Sequence, residues 1–321
     1  MMRNLSFLIF FIAINYATAF NKKEGCPKNL ILCNDVCVKS CSLDKNGQIN
    51  SSNEKVCPGT DRVTSNNIDS YRGCNIINGS ITISYYDGKK NSVNPKILNI
   101  FNSVRIINGY LKIEGPNKLM QNLTAFKNLE IIGGDELCDD SYSFVLNETS
   151  LTSIALTSLK QISAGDIYIK SNEYLCYAHD ISWNNITKSP SQYFFIENNN
   201  EKSNCLLSLN VCDNQCSSNG CWSSGPDQCL SCKKFNNDGT CVRECPPFAK
   251  YNSTTNTVEQ FSNGKYTYKH ECLSKCPEKT WVINTTCVDF CPFPKHKGTN
   301  ECLPEPVIFT KNLITKITNE K

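Results

Sequence analysis

Cysteine dominates the chemistry open to this chain: 21 of its 321 residues are Cys. Twelve fall between Cys212 and Cys302. They run C-x3-C-x4-C-x7-C-x2-C-x8-C-x3-C from Cys212 to Cys245 and, after a 26-residue excursion to Cys272, C-x3-C-x10-C-x3-C-x10-C. Such density means either a metal framework or a disulfide framework. Cys229-x-x-Cys232 lacks the second Cys or His pair that a zinc or redox site needs, so its two cysteines read as members of different bridges. The three histidines are His179, His270 and His296. His270-Glu271 opens like a zinc-protease helix, but Ser274 stands where the second histidine belongs. Neither a nucleophile elbow nor a phosphate-cradling loop occurs. The expectation is no enzyme, no cofactor and no metal.

The N-terminus sets the compartment. Arg3, the apolar run from Leu5 to Ile14 and the small-x-small Ala17-Thr18-Ala19 make residues 1–19 a secretory signal peptide, too short for a permanent anchor. No other stretch approaches the ~20 apolar residues of a membrane helix, since the run from Pro306 to Phe309 is broken by Thr310, Lys311 and Asn312. The expected product is secreted, without a membrane anchor, in an oxidising compartment where cysteines pair. A net charge of +3 gives no case for a nucleic-acid partner. Glycan acceptor sequons stand at Asn50, Asn78, Asn122, Asn147, Asn185, Asn252 and Asn284.

The cysteines mark out the elements around them. A stub from residue 20 to 56 holds CPKNLILCNDVCVKSC between Cys26 and Cys41, whose Cys26 to Cys37 separation and CV-x-x-C word recur at Cys276 to Cys287. In 57–205 the cysteines thin out and a repeat takes over: Ile76 to Gly79, Ile106 to Gly109, Ile131 to Gly134 and Ile162 to Gly165 share I-x-x-G, the glycines 30, 25 and 31 residues apart. That period is a solenoid's, and its fixed phase favours a mainly β, β-helix-like coil over a sandwich. Alternation puts Ile81 and Ile83 inside and Thr82 and Ser84 outside. Cys176 is expected to pair with Cys205. Trp222, wedged in a disulfide module, is expected to be buried as the peg between solenoid and rod. The rod covers 206–303, and a tail covers 304–321.

The runs NLEIIGG, TSLKQISAGDIYI and NEYLCYAHDISWNNI, with NQCSSNGCWSSGPDQCLSCKKFNNDGTCVREC, resemble the extracellular part of the epidermal growth factor receptor family, more distantly the insulin receptor. The resemblance implies a receptor L domain followed by a furin-like cysteine-rich rod carrying a β-hairpin arm. One L domain stands where those receptors have two, and neither a membrane helix nor a kinase domain is recognisable. The expected bridges are Cys57–Cys74, Cys176–Cys205, Cys212–Cys221, Cys216–Cys229, Cys232–Cys241, Cys245–Cys272, Cys276–Cys287 and Cys291–Cys302, with Cys26–Cys37 and Cys33–Cys41 in the stub. Cys138 is left over, suggesting a disulfide-linked dimer, a capped thiol or a bridge to Cys33.

By the same resemblance, a growth-factor ligand would meet an outward face holding Thr82, Ser84, Tyr86, Lys112, Glu114, Asp139, Tyr142 and Tyr168. The excursion between Cys245 and Cys272 reads as a hairpin with Tyr251, Asn252, Asn256, Phe261 and Tyr266 as arm residues. Asn256 replaces the family's tip aromatic, and Ser253 replaces the proline that would forbid glycosylation of Asn252. A glycan there is expected to block the arm. Three functions are open: a soluble decoy for an epidermal-growth-factor-like ligand, an inhibitor that forms non-signalling heterodimers with a receptor ectodomain through the arm, and a structural or adhesive protein.

Overall fold

The computed structural model describes residues 54–86, 92–291 and Cys302, with the backbone of four short strands between 31 and 50. The signal peptide, the stub's cysteine pairing, the Asn50 side chain and the C-terminal tail lie outside the described residues. The fold is mainly β, with one short helix, α1 (Lys202–Leu207), among the described residues.

One parallel sheet carries the first half of the chain. Its strands are β1 (Lys55–Thr60), β2 (Cys74–Ser84), β3 (Ile106–Ile107), β4 (Leu111–Glu114), β5 (Ile131–Ile132), β6 (Tyr142–Asn147), β7 (Gln161–Ile162), β8 (Asp166–Lys170) and β9 (Phe194–Glu197). The long strand β2 turns a corner at Gly79, whose φ of +128 suits only glycine. Before the corner β2 leads the ladder β2-β3-β5-β7. After it β2 leads a second, β2-β4-β6-β8-β9. Each repeat therefore gives a short strand, a corner and a longer strand. 3-10 turns such as Pro95–Ser103 and Thr124–Phe126 carry the chain back.

The alternation works as expected. Ile81, Leu111, Phe144 and Ile167 form one inward row, Ile83, Ile113, Leu146 and Ile169 the next, and all eight are fully buried. Each such side chain stabilises the coil by ~1.5–3 kcal/mol. β-Branched Ile suits these positions because its stiff side chain packs on a pleated surface. Phe101 stacks on Phe126 at 5.0 Å and meets Tyr71 at 5.2 Å, filling the coil from the 3-10 side. Asn172, fully buried, closes a turn: its Oδ1 accepts from the Thr149 amide at 2.9 Å and the Thr149 hydroxyl at 2.6 Å. Its Nδ2 donates to the carbonyls of Leu146 and Lys170 and to Asn199 Oδ1.

The fixed phase of I-x-x-G is the exception. Ile76, Ile106 and Ile131 do align, but Gln161 is their neighbour in the fourth copy, and Ile162 aligns with Ile132, Ile107 and Ile77. Side chains alternate, so the first isoleucine of three copies forms a small separate cluster outside the coil, while the second faces the main core.

Beyond Cys205 the chain becomes a disulfide rod. All eight bridges expected outside the stub are present, from Cys57–Cys74 to Cys291–Cys302. Cys229 and Cys232 belong to different bridges. Between the staples lie three small hairpins, β10 (Phe235–Asn237) with β11 (Thr240–Val242), β14 (Tyr266–Tyr268) with β15 (Glu271–Leu273), and β16 (Trp281–Ile283) with β17 (Thr286–Val288). Strands too short to bury a core of their own depend on these covalent closures. A separate antiparallel pair, β12 (Ala249–Asn252) with β13 (Thr257–Gln260), occupies the long excursion.

Trp222 is the peg. It is 1% exposed and belongs to the core of the parallel coil, edge-on to Trp183 at 6.0 Å. Its carbonyl accepts the amides of Ile154 and Ala155, each at 3.2 Å. Gly220, with φ +91, lets the rod's backbone close on Asp180 and Ile181, where any Cβ would collide with the Asp180 carbonyl.

Candidate binding surfaces

Strand register places the outward side chains of the second ladder. One row is Thr82, Lys112, Val145, Tyr168 and Phe195; the next is Ser84, Glu114, Asn147, Lys170 and Glu197. Tyr142, at the start of β6, completes an aromatic group, its ring 5.0 Å from Tyr168 and 5.7 Å edge-on from Phe195. The other row is polar and its charges are paired, Lys170 with Glu197 at 3.4 Å inside the row and Glu114 at 3.0 Å with Lys112 of the first row.

The eight residues expected on this face are therefore not one site. Tyr142 and Tyr168 meet, and Lys112 and Glu114 form an ion pair. Thr82 and Ser84 point away from the core but are only 7% and 6% exposed, a correction to the expectation that they face solvent. Position on a strand fixes which way a side chain points; what covers it comes from elsewhere in the chain. Tyr86 is 46% exposed and stands apart from the other two tyrosines, its hydroxyl accepting from Asn147 Nδ2 at 3.0 Å. Burial, together with Glu148 and Glu114, pushes its phenol up to about 12.

Phe195 and Val145 went unrecognised in the sequence. The signal for Phe195 was a fifth, degenerate copy: Thr187 bridges to Ile162 where the others have isoleucine, and no glycine follows before β9.

Asp139 is exposed, with φ +49, in the tight loop before β6. That loop is held by Cys138, whose amide donates to the Tyr142 carbonyl at 2.7 Å and whose carbonyl accepts from Ser141 and Tyr142. Cys138 is unpaired but only 6% exposed. Burial, opposed by the Lys112 ammonium, moves its thiol up to about 11. A thiol so enclosed cannot reach a second chain while the loop stays closed, which weighs against the covalent dimer; the bridge to Cys33 is likewise absent, Cys138 being free.

The excursion carries the second surface. Cross-strand partners share a face, so Tyr251 and Val258, 59% and 60% exposed, lie together, with Lys250, Asn252, Thr257 and Glu259 on the reverse. Asn252 Nδ2 donates to Glu259 Oε1 at 2.7 Å across that polar side, and its Oδ1 caps the turn by accepting from Thr254 and Thr255. Asn256, at φ +53, accepts from the Tyr251 hydroxyl at 2.8 Å. Phe261 is partly exposed, whereas Tyr266 packs on Phe248 at 4.8 Å. A glycan on Asn252 would leave from the polar side of the pair, opposite Tyr251 and Val258.

Among the described residues no group of His, Cys, Asp and Glu could hold a metal ion, and no helix is long and apolar enough to cross a membrane.

Comparison with known proteins names these modules. The receptor L domain family matches residues 73–187 and the furin-like cysteine-rich region family matches residues 162–311. The architecture is thus a receptor L domain continued by a furin-like cysteine-rich region, a non-catalytic extracellular pair. The chain is 40% identical to the epidermal growth factor receptor of Apis mellifera over 219 residues, which is 64% of this chain and 17% of that protein. It is 33% identical to human receptor tyrosine-protein kinase erbB-4 over 278 residues, 79% of this chain and 21% of that receptor. It is 32% identical to the Gallus gallus epidermal growth factor receptor over 300 residues, 84% of this chain and 41% of that protein. The chain resembles the ectodomains of the epidermal growth factor receptor family and spans less than half the length of these relatives.

Proposed function

We propose that this chain is a secreted, non-enzymatic regulator of growth-factor signalling that holds an epidermal-growth-factor-like ligand on the outer face of its parallel sheet. The observation that carries this reading is the aromatic group of Tyr142, Tyr168 and Phe195, drawn from three adjacent strands, with Phe195 39% exposed and the two tyrosines half-buried. Aromatic side chains that expose apolar area beside a polar rim are the anchors of binding interfaces. A soluble chain with such a site lowers free ligand by mass action without transmitting a signal.

A second reading has its own observation. The exposed Tyr251 and Val258 pair on β12 and β13 offers apolar area to another chain, which favours an inhibitor that docks on a receptor ectodomain through this hairpin. Immobilised glycosylated protein is titrated with epidermal-growth-factor-like ligands and, separately, with receptor ectodomain. For the decoy, Tyr142→Ala with Phe195→Ala costs at least about tenfold in ligand affinity, ~1.4 kcal/mol, with circular dichroism unchanged. Ectodomain binding lost in Tyr251→Ala, without ligand binding, favours the inhibitor. Binding of neither leaves a structural or adhesive protein.

A further inference from the structure

Asn147 is the last residue of β6, and register sets it in the polar outward row between Glu114 and Lys170. It opens the sequon Asn147-Glu148-Thr149. Among the described residues no other sequon asparagine lies in either outward row of this ladder. Glu148, at φ +52, turns the backbone so that Asn147 stays outside while Thr149 goes in, its hydroxyl bonded to buried Asn172. The atom that would carry a sugar, Asn147 Nδ2, lies 3.0 Å from the hydroxyl of half-exposed Tyr86, so an aromatic surface stands beside the attachment point.

We infer that Asn147 carries an N-linked glycan that shields the polar row of the outer face and leaves the Tyr142 end of that face open. Attachment forms a bond from Nδ2 to C1 of the first N-acetylglucosamine as the C1–O bond to the lipid pyrophosphate of the secretory-route donor breaks; the lipid pyrophosphate leaves and the amide nitrogen gives up one proton. Thr149 is enclosed once the turn closes, so transfer precedes folding of this repeat. The row beneath suits a hydrated neutral cover: Lys170 and Glu197 satisfy each other within it, Glu114 is paired with Lys112 of the neighbouring row, and no unpaired charge there calls for a protein partner. Tyr142 and Asn147 stand at opposite ends of β6, five residues apart, about 16 Å along a strand. The glycan therefore leaves the Tyr142 end of the face clear, while Tyr168 and Phe195 lie one row, about 7 Å, from the row that holds its base. Its bearing on ligand choice rests on the reading of that face as a binding surface, and it favours compact ligands seated at the aromatic end.

The experiment uses the full chain from a eukaryotic secretory host. Glycopeptide mass spectrometry is expected to find Asn147 occupied. Lysine acetylation rates are then measured for wild type, wild type trimmed by endoglycosidase to one sugar, and Asn147→Gln. Removal of the glycan should speed acetylation of Lys170 by about threefold or more, with Lys202, outside the face, as the unchanged control. If the variant fails to be secreted, the trimmed wild type gives the same comparison. An unoccupied Asn147, or Lys170 rates that do not change on trimming, would overturn the inference. No ligand enters this assay, so failure of the decoy reading leaves its outcome intact.

Discussion

Replacing Trp222 with alanine should unseat the cysteine-rich region from the parallel-sheet domain while leaving every disulfide in place. A buried indole hides about 150–250 Å², which at ~25 cal/mol per Å² is worth ~4–6 kcal/mol. The edge contact with Trp183 adds about 1 kcal/mol, and partial relaxation of the cavity takes some of this back. The Ile154 and Ala155 amides keep their partner, because the acceptor is the main-chain carbonyl of residue 222. The expected net loss is ~3–5 kcal/mol, a melting temperature lower by about 10 °C for a unit of this size. Trp222→Phe should recover about half of that loss. Denaturant unfolding of the oxidised protein followed by far-ultraviolet circular dichroism measures it, with limited proteolysis to report cleavage near residues 205–211. A loss under about 1 kcal/mol for Trp222→Ala would show that the ring is not what joins the two parts.

Asn172→Ala strands the buried Thr149 amide and hydroxyl, each costing ~1–3 kcal/mol, so a drop of ~3 kcal/mol or more is expected in the stability measured by denaturant unfolding; a change within ±0.5 kcal/mol would contradict the role given to the Asn172 turn. Burial pushes the Cys138 thiol up to about 11, from an ordinary value of 9.0. The stability this contributes is full below pH 9 and is lost as pH rises through the folded value. Native protein at neutral pH should resist alkylation at Cys138 and run as a monomer on non-reducing gels, and a dimer abolished by Cys138→Ser would refute the burial argument.

Much of this architecture was legible because its constraints are local and covalent. Bridges such as Cys232–Cys241 and Cys276–Cys287 were expected from the family resemblance and close short loops, and strand alternation placed Ile81 and Ile83 in the core. What escaped was what depends on distant chain. Ile162 shifted by one position against the repeat because hydrogen-bond register, not the I-x-x-G spelling, selects which isoleucine faces in. Thr82 and Ser84 were oriented correctly yet lie buried, since alternation carries no information about a covering layer. Phe195 belonged to a copy that had lost both its isoleucine and its glycine. The side of the hairpin from which Asn252 projects became plain only once Tyr251 was seen opposite Val258.

Trp222 also carries a lesson about order of assembly. By sequence the coil finishes at the Cys176–Cys205 bridge, but by packing it finishes 17 residues later, when the indole arrives from the next module. A nascent coil released from the ribosome before residue 222 has a hole beside Trp183, and the Ile154 and Ala155 amides lack their acceptor. The indole is bracketed by Cys212–Cys221 and Cys216–Cys229, so the disulfide chemistry of one module delivers the keystone of another. Retention of the chain in the oxidising compartment until that step is complete would inspect both modules at once.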